Sequence, residues 1–215
     1  MRNPIRLTLR RDDGITLVEV LVTVVILVLV MVGITKLVIM TMDTQQKIDA
    51  DFRAQSDVRQ AQYDLEKNIG EAKRFDAAYN QYPVFQNDLI SIPTQQGNWA
   101  TYYYTTPPGA YGPTIVRIVT STKPAIPPTV LSSDRELINV KPNANDQYTT
   151  VERINNGPIF TYYKADGTQP AFNGQSVQVP RDVRSISVNY RITVTEGHVL
   201  KDPVIASFRI NLRNY

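Results

Sequence analysis

The feature that most constrains the fold of this 215-residue chain is an apolar segment close to its N-terminus, from Ile15 to Ile34. Within this segment only Thr16, Glu19 and Thr23 carry polar side-chain groups. At about 1.5 Å per residue, a helix of this length covers about 30 Å, which matches the hydrocarbon core of a bilayer. The segment therefore predicts a membrane-spanning helix.

The residues on either side of this segment predict its orientation. Four arginines precede it and predict a cytoplasmic N-terminus: Arg2, Arg6, Arg10 and Arg11. A secretory signal has a shorter apolar region followed by an A-x-A-like cleavage site, and nothing of that kind comes before "KLVIMTMD". An uncleaved signal-anchor helix remains an open alternative at this point.

Glu19 is the unusual residue of the segment. An ionised side chain deep in a bilayer costs about 2.5–3.5 kcal/mol on insertion scales, and less near the interface. Two interpretations are open. The carboxylate either reaches the lipid headgroups or stays protonated, or it awaits a positive partner inside an assembly.

The sequence around Glu19 carries a family resemblance. "GITLVE" at residues 14–19 stands behind a short basic leader and ahead of an unbroken apolar stretch. It resembles the N-terminus of type IV prepilins and type II secretion pseudopilins. The resemblance implies that a membrane-embedded prepilin peptidase cuts the Gly14–Ile15 bond and methylates the new amino terminus on Ile15. It also implies three further partners: other pilins or pseudopilins bound through the N-terminal helix, an inner-membrane assembly platform, and the lipid bilayer.

The implied cleavage gives Glu19 a chemical role. Glycine suits such a site because it leaves the peptide bond accessible. Cleavage creates a positive amine on Ile15, which Glu19 can neutralise in its own helix or in a neighbouring subunit. Charges in apolar surroundings are poorly screened, so each partner favours the other. We interpret Glu19 as the residue that docks the helix into a filament.

A long helix is predicted from Ile15 to about Phe75, since no proline occurs between Pro4 and Pro83. Beyond the membrane segment, apolar residues recur mostly three and four positions apart, which indicates an amphipathic helix whose stripe covers the sheet of a head. These residues are Ile48, Phe52, Val58, Ala61, Leu65, Ile69, Ala72 and Phe75.

The rest of the chain predicts short strands. Candidates are "DLISI", "ATYYYTT" and "TIVRIVTST", while residues 131–156 stay uncertain. A hairpin is predicted from a strand at Ile159–Lys164, a turn at "ADGT" and a returning strand. "RSISVNYRITVT" and "VIASFRINLRN" alternate apolar and polar residues and predict a final antiparallel pair.

The second half of the chain resembles minor pilins and J-type pseudopilins. The shared text is "FTYY" at 160–163, Asp166-Gly167, "VRSI" at 183–186 and "LRN" at 212–214. This resemblance implies a low-abundance subunit rather than the main repeating one.

The composition excludes several kinds of site. There is no cysteine, so disulfides, thiolate zinc sites and cysteine nucleophiles are excluded. The single histidine, His198, is interpreted as a surface residue, and neither G-x-S-x-G, a P-loop nor G-x-G-x-x-G occurs. We predict no catalytic residue, no metal site and no cofactor. The cluster "NANDQ" at 143–147 is interpreted as a polar turn rather than a calcium loop.

Nucleic acid is a possible but unsupported partner. The formal charge is +3, but the first 14 residues hold four arginines against two aspartates, so the remainder carries only +1. Exposed tyrosines beside Arg117 could stack on a surface, a sugar or single-stranded DNA, as DNA uptake would require, whereas the alternative is a half-buried strand. The tyrosines concerned are Tyr102, Tyr103, Tyr104 and Tyr111.

These observations predict an α+β protein of the type IV pilin kind, with a long N-terminal helix packed on a mostly antiparallel sheet. The predicted parts are a removed cytoplasmic leader at 1–14, a transmembrane or filament-core half of the helix at 15–40, an amphipathic half at 41–78 and an extracytoplasmic β-rich head at 79–215. The predicted function is a minor pilin or pseudopilin, not an enzyme, that moves from the inner membrane into a filament. The alternative is a signal-anchored surface protein such as an adhesin or a tethered enzyme. The sequence leaves open whether the filament is a pilus, a competence pilus or a secretion pseudopilus.

Overall fold

The computed structural model describes residues 16–70, 72, 83–110, 112–138, 148–196, 199–200 and 202–212. Internal contacts divide the chain into two compact units, Met1–Gln46 and Lys47–Tyr215. In its described residues the first unit consists of the N-terminal part of one helix. The second unit holds the remainder of that helix and the twelve strands that the structure describes.

The helix α1 runs without interruption from Leu17 to Gly70, which confirms the long helix predicted from the sequence. Its 54 residues contain no proline, so the i→i−4 hydrogen-bond ladder is never broken by a missing N–H. The sequence predicts bounds at Ile15 and about Phe75, and both of these residues lie outside the described part of the chain.

The C-terminal part of α1 buries one stripe of side chains in the core of the second unit. The prediction is confirmed for Ala61, Leu65, Ile69 and Ala72, each at most 1 % exposed, while Val58 is partly buried against the same core. This burial joins helix and sheets into one hydrophobic cluster and establishes the α+β architecture.

The predicted stripe is wrong at its N-terminal end. Ile48 and Phe52 are 61 % and 72 % exposed. Each lies two positions before a buried alanine, Ala50 or Ala54, and two residues correspond to about 200° around an α-helix. The stripe continues through these alanines, which a pattern based on the largest apolar residues misses.

All strand pairs in the described residues are antiparallel, which confirms the predicted sheet type. The strands are β1 (Val84–Gln86), β2 (Leu89–Pro93), β3 (Trp99–Thr105), β4 (Thr114–Thr120), β5 (Arg135–Glu136), β6 (Tyr148–Glu152), β7 (Phe160–Tyr163), β8 (Phe172–Asn173), β9 (Ser176–Val177), β10 (Ser185–Glu196), β11 (Val199–Leu200) and β12 (Val204–Asn211).

These strands form two sheets. Sheet A has seven strands in the order β5-β4-β3-β2-β1-β9-β8. Sheet B is organised around β10, which pairs with β12 and β11 and also with β6 and β7. The three predicted strands at "DLISI", "ATYYYTT" and "TIVRIVTST" are confirmed as β2, β3 and β4. The predicted final pair is confirmed as β10 and β12, in register from Ser185↔Asn211 to Ile192↔Val204.

The predicted hairpin after Ile159 is only half right. Its strand is β7 and its turn forms, with Gly167 at φ +82° and the Asp166 carboxylate accepting a hydrogen bond of 2.9 Å from the Thr168 N–H. The returning strand is wrong, because β7 pairs with β10 whereas β8 pairs with β9 in sheet A. Pro170 stands in the predicted return and has no N–H to donate to a ladder.

A buried tyrosine connects the two sheets. Tyr162 on β7 is 1 % exposed, and its hydroxyl donates to the carbonyl oxygens of Gln86 and Leu89, the latter at 3.2 Å. Its ring centroid lies 5.0 Å from that of Phe85. The backbone N–H of Phe160 also donates to the Asn87 carbonyl at 3.0 Å, so β7 is fixed to the β1–β2 turn.

Candidate functional site

The N-terminal part of α1 exposes an apolar surface all the way round. Every large apolar side chain from Leu17 to Met42 is between 49 % and 82 % exposed. Soluble monomers rarely expose contiguous apolar patches larger than a few hundred Å², and a helix that is apolar on every face belongs in a membrane or a large core. This segment therefore requires an apolar environment outside the chain.

The same helix meets the length and composition of a membrane span. Its most apolar 18-residue window has a mean hydropathy of 3.1, and none of that window is buried within the chain. Among the described residues this is the one helix that meets both criteria.

The hydroxyl groups in this part of α1 are bonded within the helix itself. Thr23, Thr35, Thr41 and Thr44 each donate to the carbonyl oxygen four residues earlier, at 2.7–2.8 Å. A hydroxyl without a partner is costly in hydrocarbon, and this bonding removes that cost. The polar residues of the segment are thus compatible with lipid or with packed helices.

Glu19 closes the N-terminus of the helix through a reciprocal pair of hydrogen bonds. Its Oε2 accepts from the Thr16 backbone N–H at 3.1 Å and from the Thr16 hydroxyl at 3.2 Å. In return, the Glu19 N–H donates to Thr16 Oγ1 at 3.2 Å. This arrangement is a capping box, with Thr16 as N-cap and Glu19 three residues on. The positive end of the helix dipole also favours a carboxylate at this position.

The capping box begins at Thr16, which directly follows Ile15 of the predicted processing site in the sequence. Gly14 and Ile15 lie outside the described residues, and the description begins at Thr16. The N–H that Glu19 binds belongs to the residue directly after Ile15. An amine created on Ile15 would therefore form one residue away from a carboxylate that is already held at the helix end.

The capping box also has a signal in the sequence, which the interpretation of Glu19 as an assembly residue leaves out. The pattern is T-x-x-E at 16–19, directly before an apolar run, which is the known sequence form of the motif. From the sequence, the charge of Glu19 was interpreted only as a feature of assembly. The structure adds a local role in starting the helix.

Two members of the tyrosine run, Tyr102 and Tyr104, are packed into the second unit rather than presented as a stacking surface. Tyr102 is fully buried on β3, and burial raises its pKa above the ordinary value. Tyr104 is partly buried, with its hydroxyl donating to the Val151 carbonyl at 3.0 Å and the Arg153 guanidinium 5.2 Å from its ring centre. The half-buried strand is therefore the correct interpretation for these residues. Tyr111, His198 and the cluster at 143–147 lie outside the described residues.

No group of three or more metal-ligating side chains is found in the part of the chain that the structure describes. Some of the acidic residues there are engaged by arginines, for example Asp64 and Asp88.

Comparison with known proteins gives one match. A family model described as the prokaryotic N-terminal methylation motif matches residues 9–35 of the chain. This range contains Gly14, Ile15 and Glu19 together with most of the exposed apolar surface. No curated protein and no solved structure matches the chain.

Proposed function

Because this chain carries the prepilin-type N-terminal methylation motif and belongs to the type IV pilin and pseudopilin family, we propose that it is a minor pilin or pseudopilin. In this role it is a structural subunit of a type IV pilus or of a type II secretion-like filament, and it is not an enzyme but the substrate of one. The observation that supports the proposal most strongly is the exposed apolar surface of Leu17–Met42 directly behind the motif.

Processing is the first step of the proposed function. Prepilin peptidase cuts between Gly14 and Ile15, the leader remains on the cytoplasmic side, and the new amino group of Ile15 is methylated. The match of the methylation motif across this bond supports the assignment. The processed subunit then rests in the inner membrane with its N-terminus cytoplasmic and its head outside, where the assembly platform engages it.

Assembly is the second step and uses both the apolar surface and Glu19. In a filament, neighbouring apolar helices replace the lipid around Leu17–Met42 and remove that surface from both water and lipid. The new Ile15 amine pairs with a Glu19 carboxylate, and in apolar surroundings such a pair is poorly screened. The hydrogen bond from the Thr16 N–H supports this step, since it holds the carboxylate at the correct end of the helix.

A minor rather than a major subunit is favoured by the second half of the chain. Of the text that resembles J-type pseudopilins and minor pilins, "FTYY" forms β7 and the last two residues of "VRSI" begin β10, whereas "LRN" comes after the end of β12. The chain also has no cysteine and therefore no disulfide-closed loop.

Mass spectrometry of the mature N-terminus tests the proposal directly. We expect a chain that begins with methylated Ile15, produced only when the peptidase is present. An intact Met1, or a cut beyond residue 34, would favour the signal-anchored surface protein instead. The Glu19→Ala variant should be processed normally and yet fail to enter filaments, and normal incorporation of this variant would contradict the proposal.

A further inference from the structure

A polar cleft lies in the second unit, beside the C-terminal part of α1. It is lined by α1 residues from Gln60 to Asn68, by the turn between β2 and β3, and by residues of β4 and β5. Its volume is about 560 Å³, which is within the usual range of small-ligand sites. The lining residues come later in the sequence than the apolar surface of Leu17–Met42 on which the proposed assembly role rests.

The lining of the cleft is positively charged although the chain beyond the leader is nearly neutral. Lys67, Arg117 and Arg135 face a single carboxylate, that of Asp64, so the lining has a formal net charge of +2. Arginine guanidinium groups suit carboxylates and phosphates because they can donate two parallel hydrogen bonds. The charge therefore favours an anionic ligand.

Asp64 positions the two arginines. It is only 7 % exposed, and its two carboxylate oxygens lie 3.4 Å from Arg117 Nη1 and 3.4 Å from Arg135 Nη1. Asn68 supports the cluster, with its Oδ1 accepting from Arg117 Nη2 at 3.2 Å. The guanidinium groups are thus oriented in advance. This reduces the conformational entropy that the two arginine side chains lose when a ligand binds.

The cluster leaves buried hydrogen-bonding capacity unused within the described residues. Arg117 Nε is buried and has no hydrogen-bond partner there, whereas Asp64 Oδ2 lies in the ion pair with Arg135. Buried polar atoms are almost always bonded, so atoms of this kind indicate a missing partner. A ligand carboxylate is the kind of group that could supply an acceptor to the Arg117 guanidinium.

The neutral part of the lining suits hydroxyl groups. Besides Asn68, which is bonded to Asp64 and Arg117, four amide side chains contribute both donors and acceptors, as hydroxyl-rich ligands require; they are Gln60, Gln95, Gln96 and Asn98. Tyr63, 67 % exposed, adds an aromatic ring with an apolar face at the rim, and Lys67 Nζ lies 5.9 Å from its centre.

We propose that this cleft binds an acidic saccharide, with the sugar carboxylate on Arg117 and Arg135, and the ring hydroxyls on the amides. Single-stranded nucleic acid fits less well, because it needs a cationic track with successive aromatic platforms, whereas this cleft offers one exposed ring and Tyr102 is buried. The site would give the subunit a surface ligand in addition to its place in a filament.

The test uses the full-length protein in detergent micelles, with D-galacturonate as the probe and D-galactose as its neutral match. These sugars differ only at C6, where galacturonate has a carboxylate and galactose a neutral hydroxymethyl group, so the comparison tests the role of the carboxylate. We expect galacturonate to bind at least about tenfold more tightly than galactose. The double variant K67Q/R135Q should weaken galacturonate binding by about tenfold or more, while the control K164Q/R181Q, with the same charge change outside the cleft, stays within about twofold.

Several results would overturn the proposal. These are no measurable binding of galacturonate or its trimer, equal binding of galactose, or equal affinity in K67Q/R135Q. Tighter binding of an oligothymidylate than of the galacturonate trimer would overturn it in favour of nucleic acid. Circular dichroism of both double variants checks that the fold is retained, which is expected because Lys67 and Arg135 are exposed.

Discussion

The Glu19 carboxylate accepts a hydrogen bond of 3.1 Å from the Thr16 backbone N–H, and the Thr16 hydroxyl accepts one of 3.2 Å from the Glu19 N–H. Glu19 therefore has one observed role, in capping α1, and one proposed role, in pairing with an amine, and the two need to be separated. Capping depends on hydrogen bonding, whereas pairing depends on charge. A substitution that preserves the first and removes the second can distinguish them.

Glu19→Gln is that substitution, since glutamine also occurs at the third position of capping boxes. We expect Glu19→Gln and Glu19→Ala to be processed normally, and both to reduce incorporation by more than about tenfold because the amine is left without its charged partner. Quantifying each variant in purified filaments measures the effect. If Glu19→Gln enters filaments as well as the natural protein does, capping and not charge is the function of Glu19.

Gly14→Val tests the proposed cleavage bond. A branched side chain next to the scissile peptide should misplace it in the peptidase, and a displacement of about 1 Å can cost about a hundredfold in rate. Mass spectrometry should then find the uncut chain in the membrane. Asp12→Asn, two residues away in the leader, is the control and should be cut normally. Equal processing of both variants would show that the cut lies elsewhere.

Leu65→Ala tests the buried stripe of α1. Leu65 is 0 % exposed, so its truncation should lower the free energy of unfolding by about 2–5 kcal/mol. Phe52→Ala removes a larger side chain that is 72 % exposed, and it should change the free energy by less than about 0.5 kcal/mol. Urea unfolding of the full-length protein in micelles, followed by near-ultraviolet circular dichroism, measures both. The opposite order of effects would place the sheet on the other side of the helix.

Asp57→Asn tests whether ionisation of a half-buried carboxylate on α1 lowers the folding stability in a pH-dependent way. Burial raises the pKa of Asp57 above its ordinary value of 3.8, and the charge of Arg53 opposes part of the rise. A raised pKa in the folded state means that folding disfavours the ionised carboxylate. That cost is absent below the ordinary pKa and is fully present once the pH exceeds the folded-state pKa.

The variant should therefore raise the urea midpoint at neutral pH and have no effect at about pH 3, where the carboxylate is largely protonated in both states. Asp51→Asn makes the same chemical change at an exposed position of the same helix, and it should leave the midpoint almost unchanged at either pH. A gain from Asp57→Asn that is as large in acid as at neutral pH would contradict this account.

Much of the fold could be predicted because it depends on local patterns. The helix from Leu17 to Gly70 follows from a proline-free stretch, and β2, β3, β4, β10 and β12 follow from runs of β-prone residues. The predictions were wrong where the structure depends on contacts between residues that are distant in the sequence. Phe52 looks like a core residue until the sheet position shows that Ala54 is the one that faces it. Likewise, no local pattern indicates that β9 pairs with β1.

The two candidate sites differ in the same way. The site around Glu19 is continuous in sequence, so the motif and the apolar run are visible without a structure. The cleft depends on Asp64 meeting Arg117, which is 53 residues away, and also Arg135. Sequence analysis did single out Arg117, but with the neighbouring tyrosines as its partners. Only the fold shows that its carboxylate partner lies on the helix.

The division of strands between the sheets has a consequence for the order in which the head can form. Every strand of sheet A lies between Val84 and Val177, so this sheet can be completed while the later residues are still being synthesised. The central strand β10 and its long partner β12 follow afterwards. During synthesis, β6 and β7 therefore lack their β10 partner until β10 has been made. In this interval their unpaired edges can pair with strands of other chains, which leads to aggregation.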